Sequence, residues 1–90
     1  MSRYDSDPVK TESNLRKHGV TFEEAESVIS SPLSREEIGP MDPTGEERVK
    51  TIGWSSLARI IVVITSQGGP RPRIISARRA SKRERDEYLG

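Results

Sequence analysis

Cysteine is absent from this 90-residue chain, so neither a disulfide framework nor a thiolate metal site can hold it together, and a reducing cytoplasm is its expected location. Histidine occurs once, as His18, which is too few for a histidine-based metal site; no cofactor and no metal is expected. A carboxylate-only Mg²⁺ site stays open, with no motif behind it. The longest apolar run, Ile60 to Ile64, is five residues, whereas a bilayer span takes about 20. The opening MSRYDSDPVK carries no signal-peptide core, so no membrane contact is expected. No P-loop, G-x-G-x-x-G or G-x-S-x-G motif occurs, which argues against nucleotide hydrolysis; Gly68-Gly69-Pro70 reads as a hairpin turn instead. Hydrophobic residues make up only 31% of the chain, and a domain of this size buries only about 60 to 65% of its unfolded surface. One compact core is the most it can hold, giving a single domain over residues 1–90 that a partner would help to stabilise.

The net charge of +1 conceals an asymmetry. Residues 1 to 47 carry eleven acidic against five basic side chains, whereas residues 48 to 90 carry ten basic against three acidic. Within Arg71 to Arg85, seven basic residues accompany a single acid, Glu84. A field of that sign suits a polyanion, and phosphate is the commonest. A solvated basic helix that merely balances the acidic half of the fold is the equal alternative.

Tyr4-Asp5-Ser6 reads as a short strand, and Asp7-Pro8 as an N-cap with proline at the first helical position. The helix it opens runs to about His18 on a thin apolar face of Val9 and Leu15, and ends in Arg16-Lys17-His18-Gly19, cations at the negative end of the dipole followed by a glycine cap. Thr21-Phe22-Glu23-Glu24 matches a capping box, predicting a second helix over about 22–30 with Phe22, Ala25, Val28 and Ile29 inward. Leu33 to Glu46 is polar and rich in proline and glycine, a loop with at most an edge strand around Leu33 to Ile38. From Arg48 the apolar period becomes two: Arg48 to Trp54, Arg59 to Thr65 and Arg73 to Ala77 read as an antiparallel meander whose central strand is 60–64, with Trp54 read as core in preference to a stacking platform. Ser81-Lys82-Arg83-Glu84 is another capping box, opening a C-terminal helix to about Tyr88. This order argues an α+β fold with helices packed on an antiparallel sheet.

Metal-free RNA cleavage needs a base for the 2′-hydroxyl proton, cations for the charge on a phosphorane-like transition state, and an acid for the departing 5′-oxygen. Arg, Lys, Glu and Tyr concentrate around the last two strands and the final helix, and arginine suits phosphate best because its planar fork bonds two oxygens and stays charged. Composition permits a nuclease without demanding one.

The residues also carry a resemblance. Ser6 to Ala25 (SDPVKTESNLRKHGVTFEEA), GEERVKTIG (Gly45 to Gly53), ARIIVVIT (Ala58 to Thr65) and RIISARRASKRERDEY (Arg73 to Tyr88) resemble the BrnT family of toxins in order and spacing over nearly the whole chain. Asp7, Pro8, Lys10, Asn14, Lys17, His18, Gly19 and Val20 match the family's opening pattern. Ser6 departs from it, standing where tryptophan is usual, with Tyr4 two residues earlier as a partial substitute; Gln67 stands where a charged residue is frequent. The resemblance implies a RelE-like fold, an antiparallel meander packed against two N-terminal helices with a short C-terminal helix. It also implies a ribonuclease toxin of a type II toxin–antitoxin pair that acts on RNA, ribosome-associated mRNA included. A BrnA-type antitoxin with a ribbon-helix-helix domain would neutralise it, and operator DNA would be met only through that antitoxin. The alternative is an inactive homologue that serves as antitoxin partner and corepressor, or a plain RNA-binding module.

On this reading the candidate catalytic residues are Arg78, Arg48, Lys17, His18 and Glu84, and the candidate RNA contacts are Arg79, Lys82, Arg83, Arg73, Tyr88, Thr65 and Lys10. Each has a plainer reading beside it. Arg78 and Arg79, placed just after the last strand, and Arg48, carried over from the resemblance, are otherwise surface ion pairs, Arg48 with Glu46, Glu47 or Glu84. His18 in a last helical turn is otherwise a cap, Glu84 is otherwise occupied by its capping box, and Tyr88 otherwise packs on the sheet.

Overall fold

A computed structural model describes residues 7–39, 41, 43, 45–68 and 71–90. The strand expected at Tyr4-Asp5-Ser6, the place of Ser6 itself and the Gly69-Pro70 part of the second turn lie outside the described residues. The elements follow in the order α1 (Pro8–His18), α2 (Phe22–Ile29), β1 (Arg35–Ile38), β2 (Arg48–Trp54), β3 (Ile60–Ser66), β4 (Arg73–Arg79) and α3 (Lys82–Leu89). The fold is α+β, as expected, and the strands form one antiparallel meander in the order β1-β2-β3-β4.

Helix α1 starts and stops as its sequence dictates. Asp7 accepts from the Val9 N–H at 2.9 Å, and Gly19 takes a left-handed φ of 68° with its N–H on the Leu15 carbonyl. Its docking differs from the expectation. Val9 is 74% and Leu15 47% exposed, and the one buried residue of α1 is Asn14. The Asn14 amide donates to the Val20 carbonyl at 2.9 Å and the Ala77 carbonyl at 2.8 Å, and its oxygen accepts from the Ala77 N–H at 3.0 Å. Directed hydrogen bonds thus do the work that a thin apolar stripe cannot.

In α2 the cap is half a capping box. Thr21 accepts from the Glu24 N–H at 3.0 Å, but the Glu24 carboxylate turns away to bind Ser55 and Arg59 across the fold. Phe22, Ala25 and Val28 are buried as expected, with Ile29 packed beside them.

Strand β3 is central, paired with β2 through Ile52↔Val62 and with β4 through Val62↔Arg78. Because side chains alternate across a strand, its apolar run feeds both faces. Ile61 and Val63 join Val20, Phe22, Ala25, Val28, Ile74 and Ala77 beneath the N-terminal helices. Ile60 and Val62 join Ile52 on the other face, against Ala80 and Tyr88 at the base and end of α3. Gly53 is where β2 meets the chain before β1: a Cβ there would lie 3.0 Å from the Ser34 Cβ. Two expectations are corrected here. Arg78 and Arg79 are the last residues of β4 rather than the turn after it, and Trp54 is 43% exposed at the end of β2 instead of in the core.

Candidate active site

On the sheet face covered by α3, alternation along β2 sets Lys50 beside the core residue Ile52, and alternation along β4 sets Arg78 opposite Val62. The capping box of α3 aims the third participant. Ser81 accepts from the Glu84 N–H at 3.2 Å while Glu84 Oε1 accepts from the Ser81 N–H at 2.8 Å, which leaves the carboxylate facing the sheet. There Arg78 grips it with both ends of its fork, Nη1 to Oε1 at 2.7 Å and Nη2 to Oε2 at 3.0 Å, and Lys50 Nζ lies 3.0 Å from Oε2. The Glu84 side chain is 16% exposed, against 41% for Arg78.

This arrangement determines protonation. The Arg78 guanidinium first, then the Ser81 N–H and Lys50, hold the Glu84 carboxyl far below its ordinary value against the opposing pull of burial. Arg78 is raised in turn by its bond to Glu84. Tyr88, one helical turn on, donates from its hydroxyl to the Leu33 carbonyl at 2.8 Å, and the Arg35 guanidinium lies 5.8 Å from its ring centre. The cavity between Lys50, Glu84, Tyr88 and Arg35 holds about 20 Å³, room for about one water.

Of the residues singled out by sequence, the structure brings Arg78, Glu84 and Tyr88 together and sets Arg48 two residues before Lys50 on the same face of β2. Lys17 and His18 are exposed at the end of α1, in the helical layer that serves the other face, and Lys10 is exposed in the same helix. Arg73 pairs with Glu46 at 3.2 Å at the far end of the sheet. Thr65 is 3% exposed and donates to the Val49 carbonyl at 3.4 Å. Lys82 and Arg83 form exposed pairs with Asp86 and Glu87 along α3. Arg79 is exposed at the end of β4, alternating away from Arg78. Sequence reasoning missed Lys50 and Arg35. The period-two pattern of 48–54 held the signal for Lys50, since it shares a face with Ile52; the contact of Arg35 with a helix 53 positions later left none.

Among the described residues no group of three or more His, Cys, Asp or Glu side chains is placed to hold a metal ion, and no helix is long and apolar enough to cross a membrane.

Comparison with known proteins shows the family and supports the fold. A family described as the ribonuclease toxin, BrnT, of type II toxin–antitoxin systems matches residues 6–84. The crystal structure of the Brucella abortus ribonuclease toxin, BrnT, is similar with a TM-score of 0.63 and 27% identity, over 91% of this chain and 100% of that one. No curated protein matches the chain significantly.

Proposed function

The chain belongs to the BrnT family of ribonuclease toxins of type II toxin–antitoxin systems, and on that premise we propose that it cleaves RNA internally, without a metal, at the Arg78–Glu84–Lys50 cluster. The observation that carries the reading is the convergence of a guanidinium fork and an ammonium on one carboxylate. Two cations around one acid form a set that attracts a phosphodiester and repels a divalent ion.

In the resting protein Arg78 is bound to Glu84, and that bond suppresses the basicity of the carboxylate. A phosphodiester reaching the exposed edge of Arg78 takes over the fork, because phosphate oxygens offer it the same bidentate geometry. Released, Glu84 regains basicity and removes the proton of the 2′-hydroxyl. The 2′-oxygen forms a bond to the adjacent phosphorus, the bond from phosphorus to the 5′-oxygen breaks, and the Lys50 ammonium gives its proton to that leaving oxygen. Arg78 stabilises the charge that builds on the non-bridging oxygens. The products are a 2′,3′-cyclic phosphate and a 5′-hydroxyl.

An antitoxin of the BrnA type, with a ribbon-helix-helix domain that reaches operator DNA, is the proposed partner, and the cytoplasm is the proposed location. The thin core supports the need for that partner: Val9, Leu33, Ile38 and Leu89 are all more than 60% exposed.

The test is incubation of antitoxin-free protein with labelled RNA in excess EDTA, with and without ribosomes, followed by analysis of the product ends. Cleavage with cyclic-phosphate ends is the expected result. Folded protein that cuts no RNA in either condition would leave the non-catalytic antitoxin partner as the better reading.

A further inference from the structure

We propose that the open groove between the β2–β3 hairpin and the start of α3 is a nucleotide subsite, where the Trp54 indole stacks on a base of single-stranded RNA and Arg79 and Arg85 hold the adjoining phosphates. The inference rests on the ribonuclease reading and deepens it by placing part of the substrate outside the reacting cluster.

The groove has a volume of about 460 Å³, well within the roughly 300–1,000 Å³ typical of ligand sites. Trp54, Ile60 and Ala80 supply apolar surface, Arg59, Arg79 and Arg85 surround it, and none of its lining residues is acidic. Trp54 is the only tryptophan of the chain and is 43% exposed, although its cross-strand partner Ile60 is 6% exposed. A strand-end indole left this open forfeits burial that a stacked base restores.

The three arginines differ in availability. Arg59 is committed, donating from Nε to Glu24 at 3.0 Å and from Nη2 to the Gly19 carbonyl at 3.1 Å. The Arg79 and Arg85 guanidiniums form no ion pair or hydrogen bond within contact distance among the described residues, in a protein where most arginines are engaged, although Arg79 lies within the field of Glu24. Two such cations beside an open aromatic ring match an occupant with a flat π-face and a phosphate at each link. The groove also adjoins the reacting cluster, since Ile60 and Ala80 of its wall belong to the apolar layer under Arg78 and Arg85 follows Glu84 in α3, whereas Arg79 reaches the groove from the other side of the end of β4. One RNA strand laid across α3's base therefore meets both. An acidic segment of a protein partner would satisfy the arginines but would need an aromatic or apolar side chain among its acids to cover the indole, whereas every nucleotide carries both a flat face and a phosphate.

The full chain and a short 2′-O-methylated oligoribonucleotide, which keeps bases and phosphates but lacks the attacking hydroxyl, supply the test. Because Trp54 is the sole tryptophan, its emission reports on the groove directly. Saturable quenching is expected, with affinity by fluorescence anisotropy weakened roughly 5- to 100-fold in Trp54→Ala. Trp54→Phe should retain much of the affinity, and Arg85→Gln, an exposed helix substitution, should weaken binding and lower its salt slope by about one. Oligonucleotide binding with unchanged Trp54 emission and full affinity in Trp54→Ala and Arg85→Gln would overturn the subsite and leave the ribonuclease reading standing. Quenching by the antitoxin but not by the oligonucleotide would overturn it in favour of a protein partner. Folded protein that neither binds the oligonucleotide nor cleaves RNA would overturn both.

Discussion

Asn14 bonds both the N–H and the carbonyl of Ala77, at 3.0 and 2.8 Å, so that one side chain of α1 closes the outer edge of β4 as a neighbouring strand would. β4 is the last strand of the sheet, and Ala77 is wholly buried, so these backbone groups have no water to turn to. The same amide holds the Val20 carbonyl where α1 hands over to α2. Asn14→Ala leaves three buried backbone groups unpaired and should lower the unfolding free energy by about 2–4 kcal/mol. Asn14→Asp should cost at least as much, because a carboxylate cannot donate to two carbonyls. Val9→Ala on the exposed side of α1 should stay within about 0.5 kcal/mol of the parent protein. Urea denaturation of the three variants checks the contrast.

The Glu24–Arg59 pair should give stability a pH dependence of known sign. Glu24 is 3% exposed and is held below its ordinary value by Arg59 first and by Ser55, against burial. Its folded value lies below its unfolded one, so the stabilisation is present above the unfolded value of about 4.3 and is lost as pH falls through the folded value. Glu24→Gln should therefore be less stable than the parent by about 2–4 kcal/mol near pH 7, with the Arg59 side chain, 28% exposed, limiting the loss. The two stability curves should converge as the pH drops below 4. A gap that persists at acid pH would show that the pair's charge is not its contribution.

On the proposed mechanism Arg78→Ala should slow single-turnover RNA cleavage by roughly 10²- to 10³-fold, the usual loss when a donor to a developing charge is removed. Arg78→Lys should rescue little, because a point charge lacks the fork that two phosphate oxygens require. His18→Ala and Lys17→Ala, in the helical layer of the opposite face, should leave the cleavage rate unchanged. A loss of cleavage in His18→Ala with normal folding would move the reaction to the other side of the sheet.

The pH–rate profile should separate free from substrate-bound protein. In the free state Arg78 holds Glu84 far below the ordinary carboxylate range, so the acid limb of kcat/KM should fall at unusually low pH. Once phosphate occupies Arg78 the carboxylate relaxes upward, and the acid limb of kcat should appear at higher pH. Coincident limbs would mean that the Arg78–Glu84 bond persists through the reaction.

Much of this protein was legible in the sequence because the controlling forces are local. The Asp7-Pro8 start, the Gly19 stop and the Ser81 to Glu84 capping box are satisfied within one helical turn, and each appears in the structure where the residues put it. The period-two apolar runs sufficed for the three-strand core of the meander, and the continuous run at 60–64 for its centre, since a strand with alternating faces must bury both to be apolar throughout. The resemblance brought the family into view through residues that are mostly caps and core.

Tertiary structure decided what depends on contacts between distant residues. Asn14 reads as a polar residue on a weak helix until Ala77, 63 positions later, supplies its partners. Glu24 looks like the return half of a capping box until Arg59 and Ser55 outbid the local N–H by offering charge and a hydroxyl in a buried place. Glu84 takes part in its box and still reaches Arg78 and Lys50, because a carboxylate has lone pairs for all of them. Sequence alone determined where the helices begin and which strands carry the core, for those depend on neighbours a few residues away. Which charges meet, and which arginines remain open to a phosphate, was decided only when the sheet brought β2, β4 and α3 within hydrogen-bonding distance.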